Sequence, residues 1–247
     1  MTGFVSLAGA GPGDPDLVTL KTVDRLRRAD LVLYDALVHP DVLSHAQGAR
    51  FYVGKRAGRH SMSQETINAL LVSKAREGLR VVRLKCGDPF VLGRGGEEAL
   101  ALRAAGIPHE VIPGVTSAVM APATEGVPVT HRGLASSFVV VSGHDPAAFE
   151  MLGAIPEGVT VVVLMAFRRR RAVAERLLAS GWAKNTGALI TAGAGTKRAR
   201  SWIGRLDELG EEGFDPGDLP VTLTLGPTVR LAAQIGRSQA PAMEMNA

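Results

Sequence analysis

The stretch Arg83-Leu84-Lys85-Cys86-Gly87-Asp88-Pro89-Phe90-Val91-Leu92-Gly93-Arg94-Gly95-Gly96-Glu97-Glu98 runs out of an apolar segment, residues 79–84, and into one with helical periodicity. Glycine frees the backbone and proline removes an N–H donor, so a strand that meets Gly87-Asp88-Pro89 has to stop. The residues beyond that stop offer main-chain N–H groups and a carboxylate over a longer span than a simple turn needs, which is the composition of a ligand-holding loop. Working outward, the same strand-then-helix rhythm recurs. Strands are predicted over residues 4–8, 31–34, 50–53, 79–84 and 109–112. Helices are predicted over 17–28 behind Asp16 as N-cap, over 64–77 opened by Ser63, and over 95–105. Alternation of this kind predicts an α/β unit with parallel strands covered on both faces.

Pro113-Gly114 and a helix over 117–124 mark the passage into a second unit, so the chain divides into an N-terminal α/β domain, 1–115, and a C-terminal α/β domain, 116–247. In the second, strands are predicted over 137–142, 160–164, 187–192, 199–203 and 221–225, with helices over 169–179 and 206–211, a pattern that fits a mixed sheet. The tail from about residue 238 is expected to fray.

A chain of 247 residues with 46% hydrophobic and 21% charged residues can bury a sizeable core and is not disordered. Its net charge of +4 is modest and only 4% of its residues are aromatic, which argues against a nucleic-acid binder built on basic stripes and stacking platforms. The single cysteine, Cys86, excludes an internal disulfide and a cysteine-based zinc site. The six histidines show no ligand spacing, so no metal is expected. The first residues lack the charge pattern of a signal peptide and no run of about 18 apolar residues occurs, so a cytoplasmic protein without membrane spans is expected.

Several further segments carry chemistry. Gly9-Ala10-Gly11-Pro12-Gly13-Asp14-Pro15-Asp16 occupies the place of a phosphate-cradling turn, but Asp14 stands where the dinucleotide fingerprint needs glycine, and two carboxylates would face any anion. A cationic or neutral group suits it better. Asp35 ends the second strand, where parallel sheets bind ligands, although a turn or cap role fits the pattern equally. Gly54-Lys55-Arg56-Ala57-Gly58-Arg59-His60 follows the third strand and reads as an anion-facing loop. Thr130-His131-Arg132 adds a cationic corner, with a structural histidine an equal reading of His131. Arg168 to Arg171 forms the first turn of a helix, the wrong end for cations in the field of the helix dipole.

Taken in order and spacing, the Gly9 to Pro15 turn, Tyr34-Asp35, Gly54 to Gly58, Lys85 to Phe90, Gly93 to Glu98, Pro113 to Ala118 and Thr130 to Arg132 resemble the uroporphyrinogen III C-methyltransferases, which belong to the tetrapyrrole methylases, class III S-adenosylmethionine enzymes. The resemblance covers residues 4–235. It implies two α/β domains with the cofactor in the cleft between them, usually as a homodimer. It also implies that S-adenosylmethionine is held by Pro12, Cys86, Gly87, Asp88, Val91, Thr116, Ser117, Met165 and Ala194, and that Asp35 and Lys55 act as proton acceptor and donor. The implied substrate is a tetrapyrrole with eight carboxylates, methylated at C2 and C7 to precorrin-2 on the way to siroheme or cobalamin. Arg56, Arg59, His60, Arg94, Glu97 and Arg132 would bind it, and Arg94 is a second candidate for the base. Cys86, Leu92 and Ala166 depart from the family's usual residues. Three readings remain beside this one: methylation of precorrin-2 or a later corrin, ribose methylation of rRNA, and a non-catalytic binding module.

Overall fold

Along β1 (Phe4–Gly9), Val5 and Leu7 enter one apolar layer while Ala8 enters another, so the strand is covered on both faces. It lies inside a five-stranded parallel sheet with β2 (Leu31–Tyr34), β3 (Ala49–Tyr52), β4 (Arg80–Lys85) and β5 (His109–Ile112), in the order β3-β2-β4-β1-β5. The computed structural model describes residues 2–54, 62–211 and 213–236. These fall into two compact units, Met1–Ser117 and Ala118–Ala247. In the first, Ile67, Leu71 and Ala75 of α3 (Gln64–Arg76) and Leu102 of α4 (Gly95–Ala104) pack on the Val5, Leu7, Leu33 and Val81 face. Leu26 of α1 (Leu20–Arg28) and Val42 of α2 (Pro40–Ser44) pack on the Ala8, Val32, Val82 and Leu84 face. The unit is therefore a helix–sheet–helix sandwich, as the alternating pattern predicts.

The second unit follows α5 (Ser117–Thr124), whose last seven residues belong to it. Its sheet contains β6 (Phe138–Ser142), β7 (Thr160–Leu164), β8 (Gly187–Ala192), β9 (Arg200–Arg205) and β10 (Val221–Leu225), in the order β6-β7-β10-β8-β9. Only β6 and β7 pair in parallel; the other neighbours are antiparallel, which makes the sheet mixed. One face is closed by Phe149 of α6 (Pro146–Met151), by Val173, Ala174 and Leu177 of α7 (Arg170–Ala179), and by Trp182, whose indole N–H donates to the Ile155 carbonyl at 2.9 Å. On the other, Leu189 meets Val127 and Val229, with Ala232 of α8 (Ala232–Ile235) against them. No described helix is long and apolar enough to cross a membrane.

Local differences from the sequence reading have local causes. The helix expected over 17–28 begins at Leu20. Asp14 accepts from the Asp16 N–H and seats a short 3-10 turn at Pro15–Leu17, and Thr19, not Asp16, caps α1 by accepting from the Thr22 N–H at 3.2 Å. The helix expected over 206–211 is a 3-10 turn at Leu206–Glu208, and β9 runs on to Arg205. Three short helices, α2, α6 and α8, escape a periodicity search because they span little more than one turn, and two of them carry a recognisable start. That signal is proline at N1 behind a capping side chain: His39-Pro40 for α2 and Asp145-Pro146 for α6.

The ends of β1, β4 and β5 approach so closely that glycine is required. A Cβ on Gly9 would lie 2.6 Å from both the Gly114 Cα and the Gly87 carbonyl oxygen, and one on Gly114 would run into that same oxygen. Gly114→Ala is expected to lower the unfolding free energy by about 1–3 kcal/mol. Gly96→Ala, whose Cβ would meet nothing within 4 Å among the described residues in the first turn of α4, is expected to raise it by about 0.5–1 kcal/mol. Urea unfolding of the two variants checks both signs.

Glu110 of β5 supplies a pH signature. Burial alone would raise its carboxyl, but Arg25, Lys21 at 2.7 Å and the Ser6 hydroxyl at 2.9 Å outweigh burial and hold it at about 2, below its ordinary 4.5. Between those values the unfolded chain binds the extra proton, so the group stabilises the fold fully above pH 4.5 and loses that contribution as pH falls toward 2. Glu110→Gln is expected to cost on the order of 2–3 kcal/mol at pH 7, with the difference from the parent protein shrinking below pH 4.5 in denaturant titrations.

Candidate active site

Parallel strands end together, and here their ends gather most of the residues singled out in the first half of the sequence. Gly9 pairs with Lys85, and Ala8 with both Leu84 and Ile112, so the turns after β1, β4 and β5 lie side by side. Gly11 and Gly87 exchange both backbone hydrogen bonds, at 3.3 and 2.7 Å. The Asp88 carboxylate accepts from the Phe90 N–H at 2.7 Å and from the Gly114 N–H at 3.0 Å, stitching the β4 loop to the β5 turn. Gly87 adopts φ +67°, and its missing side chain would first meet Thr116, 3.9 Å away. Pro12, Cys86, Gly87, Asp88, Val91, Thr116 and Ser117 are thus neighbours along one edge of one sheet.

Asp35 follows β2 at that edge, its N–H donating to the Leu84 carbonyl at 3.3 Å. It lines a cavity of about 350 Å³ together with Gly54, Gln64, Arg83, Lys85 and Arg94. Arg83 Nη2 donates to Asp35 Oδ1 at 2.6 Å, and Lys85 Nζ stands 3.8 Å from Asp35 Oδ2. Beneath them Glu98 is fully buried, and its Oε1 accepts from Arg83 Nε at 3.0 Å, Lys85 Nζ at 3.1 Å and Gln64 Nε2 at 3.2 Å. Burial would lower the Arg83 pKa, but Asp35 and Glu98 more than offset it and raise it. For Lys85 burial and the adjacent Arg83 prevail over the two carboxylates, and its pKa falls. Burial, reinforced by the Asp35 charge, pushes the Cys86 thiol up to about 11.

Arg94 takes a left-handed backbone, φ 59°, and forms a two-pronged ion pair with Glu97 at 2.8 and 2.7 Å. Both side chains are about half exposed. That contact, ahead of desolvation, raises the Arg94 pKa. Lys55, Arg56, Arg59 and His60 lie outside the described residues, as does the tail from residue 238. In the second unit Met165, at φ 60°, follows β7, and Ala194 follows β8; both strands end where β10 begins. Met165 there lines a cavity of about 430 Å³ with His144, Phe167 and Arg169. Arg132 is exposed in the turn before β6. The arginine run serves the fold of its unit: Arg169 donates to the Gly143 carbonyl at 3.0 Å and stacks on Phe149, and Arg170 donates to the Glu211 carbonyl at 3.1 Å. Among the described residues no group of three or more His, Cys, Asp or Glu side chains is placed to hold a metal ion.

Residues 5–210 match the family of Tetrapyrrole (Corrin/Porphyrin) Methylases. The chain belongs to the tetrapyrrole methylases. It is 56% identical over 147 residues to the uroporphyrinogen-III C-methyltransferase of Methanocaldococcus jannaschii, an alignment covering 59% of this chain and 61% of the relative. It is 43% identical over 235 residues to the siroheme synthase of Tolumonas auensis, covering 93% of this methylase but only half of the synthase. The crystal structure of uroporphyrin-III C-methyltransferase from Thermus thermophilus complexed with S-adenyl homocysteine superposes with a TM-score of 0.79 at 42% identity, over 93% of this chain and all of that one.

The sequence reading missed Arg83, Lys85, Glu98 and Gln64 as members of the site. The signal was present on β4, where two cations two residues apart occupy a central strand expected to be apolar on both faces. The raised thiol has a direct check. At pH 8 Cys86 is expected to react with iodoacetamide roughly 100-fold more slowly than an ordinary cysteine of pKa about 8.5, and to regain that reactivity in denaturant, as read by mass spectrometry of the alkylated peptide.

Proposed function

We propose that this methylase is an S-adenosylmethionine-dependent uroporphyrinogen-III C-methyltransferase, which methylates C2 and C7 of its substrate to give precorrin-2 for siroheme or cobalamin synthesis. The observation that carries the reading is Asp35, a carboxylate at a cavity mouth with one oxygen bonded to a buried guanidinium, on the same sheet edge as the glycine turns. Methylation at a pyrrole carbon leaves a cationic ring that must lose a proton, and a carboxylate held in place at the cavity is suited to take it.

S-adenosylmethionine supplies an electrophilic methyl group on a sulfonium. The turns suit such a ligand: Gly87 has no side chain on the open side of its turn, so a bound molecule can reach the main chain, and Asp88 stiffens the loop through two backbone N–H groups. Pro12, Cys86, Gly87, Asp88, Val91, Thr116 and Ser117 are assigned to the methyl donor on this ground and on the family resemblance; Met165 and Ala194 are assigned on the resemblance alone. Of the two candidates for the base, Asp35 is preferred, because Glu97 keeps the Arg94 guanidinium protonated. Arg94, presented by Glu97, and Arg132 would then meet substrate carboxylates, for which arginine forks are well shaped. Lys55 as proton donor, and Arg56, Arg59 and His60 as carboxylate ligands, rest on the resemblance. So do a homodimeric assembly and a cytoplasmic location.

Incubation with uroporphyrinogen III and isotopically labelled S-adenosylmethionine is expected to place two methyl groups on each macrocycle. One methyl group, or none despite tight binding, defeats the reading. Asp88→Ala should raise the calorimetric Kd for S-adenosylmethionine by about tenfold, the equivalent of one net hydrogen bond or slightly more. An unchanged Kd removes that loop from the binding site.

A further inference from the structure

Between the Asp35 carboxylate and the core of the first unit stands one planar group that faces two acids. The Arg83 guanidinium turns Nη2 toward Asp35 at 2.6 Å and Nε toward Glu98 at 3.0 Å, while Nη1 reaches the Leu33 and Leu84 carbonyls, each at 3.4 Å. A guanidinium is rigid, so fixing its Nε edge fixes the direction of its Nη edge. Lys85 repeats the arrangement as a point charge, 3.1 Å from Glu98 and 3.8 Å from the other Asp35 oxygen.

Glu98 contributes nothing at the surface, yet it sits under both cations with three donors on Oε1. Its Oε2 is buried with no hydrogen-bond partner among the described residues. An acid kept in a core with half of its accepting capacity idle supplies charge rather than a count of hydrogen bonds. The four groups sum to zero, two cations against two carboxylates, and each sign depends on the others in a medium of low dielectric.

We propose that Glu98 and Lys85 are positioning residues of the Asp35 site: Glu98 gathers Arg83 and Lys85 from beneath and aims one cation at each oxygen of Asp35, which fixes that carboxylate at the cavity. This rests on the reading of Asp35 as the proton acceptor. Glu98 does not line the cavity, and both residues act through Asp35.

The described groups that face Lys85 are Arg83 on its own strand, Asp35 after β2, Glu98 on α4, Gln64 on α3, and Cys86 and Arg94 around the same cavity. Burial and Arg83 already push its pKa down, and Glu98 and Asp35 hold it up. Glu98→Gln keeps the shape and the accepting oxygen and removes only the charge, so the Lys85 ammonium must then titrate at lower pH.

The experiment compares the parent protein, Glu98→Gln and Glu98→Asp in full-length form. Glu98→Gln is expected to lower kcat about tenfold or more, to change KM for either substrate less than about threefold, and to move the basic limb of the kcat–pH profile to lower pH; Glu98→Asp recovers part of the rate. In parallel, 15N NMR of lysine-labelled, unliganded protein follows the Lys85 ammonium, which titrates lower in Glu98→Gln. A profile and titration unchanged from the parent, or a rate loss fully accounted for by a smaller folded fraction, overturns the inference. Should Glu98→Gln fail to fold, Lys85→Met carries the same test: kcat falls with KM retained and the basic limb vanishes, and a parental profile overturns the inference. If the parent protein itself does not methylate uroporphyrinogen III, the functional reading fails, while the Lys85 titration still decides whether Glu98 holds these charges.

Discussion

Three strand ends in the first unit pass within van der Waals contact of one another, and every feature of the candidate site depends on that approach. Gly9 and Gly114 have no side chains to hold the turns apart, so their main chain meets that of Gly87. Gly11 and Gly87 can then pair, and Asp88 can reach the Gly114 N–H. Those bonds set the path of the loop that carries Cys86 on one side and Arg94 on the other. Widening the junction by a single methyl group would disturb the glycine turns and the Asp35 cavity together.

Beside this junction the sheet carries a second unusual element, charge in the middle of a parallel strand. Arg83 and Lys85 share the β4 face that Val81 gives to the core, and they replace apolar contact at the strand's carboxyl end with a four-membered ion cluster. Such a cluster is a weak source of stability, since desolvation offsets much of the Coulomb attraction. Its value lies in geometry. Packed side chains and the first turns of α3 and α4 fix the three inner members, Glu98, Arg83 and Lys85, and these fix the outer one, Asp35, where loops alone would leave it loose.

Much of this was legible in the sequence. Interior parallel strands leave apolar runs, as in Phe4–Gly9 and Leu31–Tyr34, and all five strands of the first sheet were read within a residue or two. Asp35 and the glycine turns were legible because strand ends in such sheets bind ligands, and because seven motifs keep the family's spacing. The inner cluster was not, because a buried cation is recognised by its partners. Glu98 reads as one of two acids opening a helix, and nothing in one dimension separates it from Glu97, half exposed and paired with Arg94. Short elements such as α2 and α6 were lost for lack of length, although proline behind a capping residue marked each start.

The order of the first sheet has a consequence for synthesis. The strand made first, β1, is interior, flanked by β4 and β5, whose residues are made some 75 to 105 positions later. A nascent chain cannot close both flanks until Ile112 has left the ribosome, and the apolar strand keeps one flank open until about a hundred residues have been added. The second unit closes most of its sheet by antiparallel pairing between strands nearer in sequence. Chaperone dependence in the cell should therefore concentrate on the N-terminal half, and a ribosome stalled before β5 would expose the most aggregation-prone form of this chain.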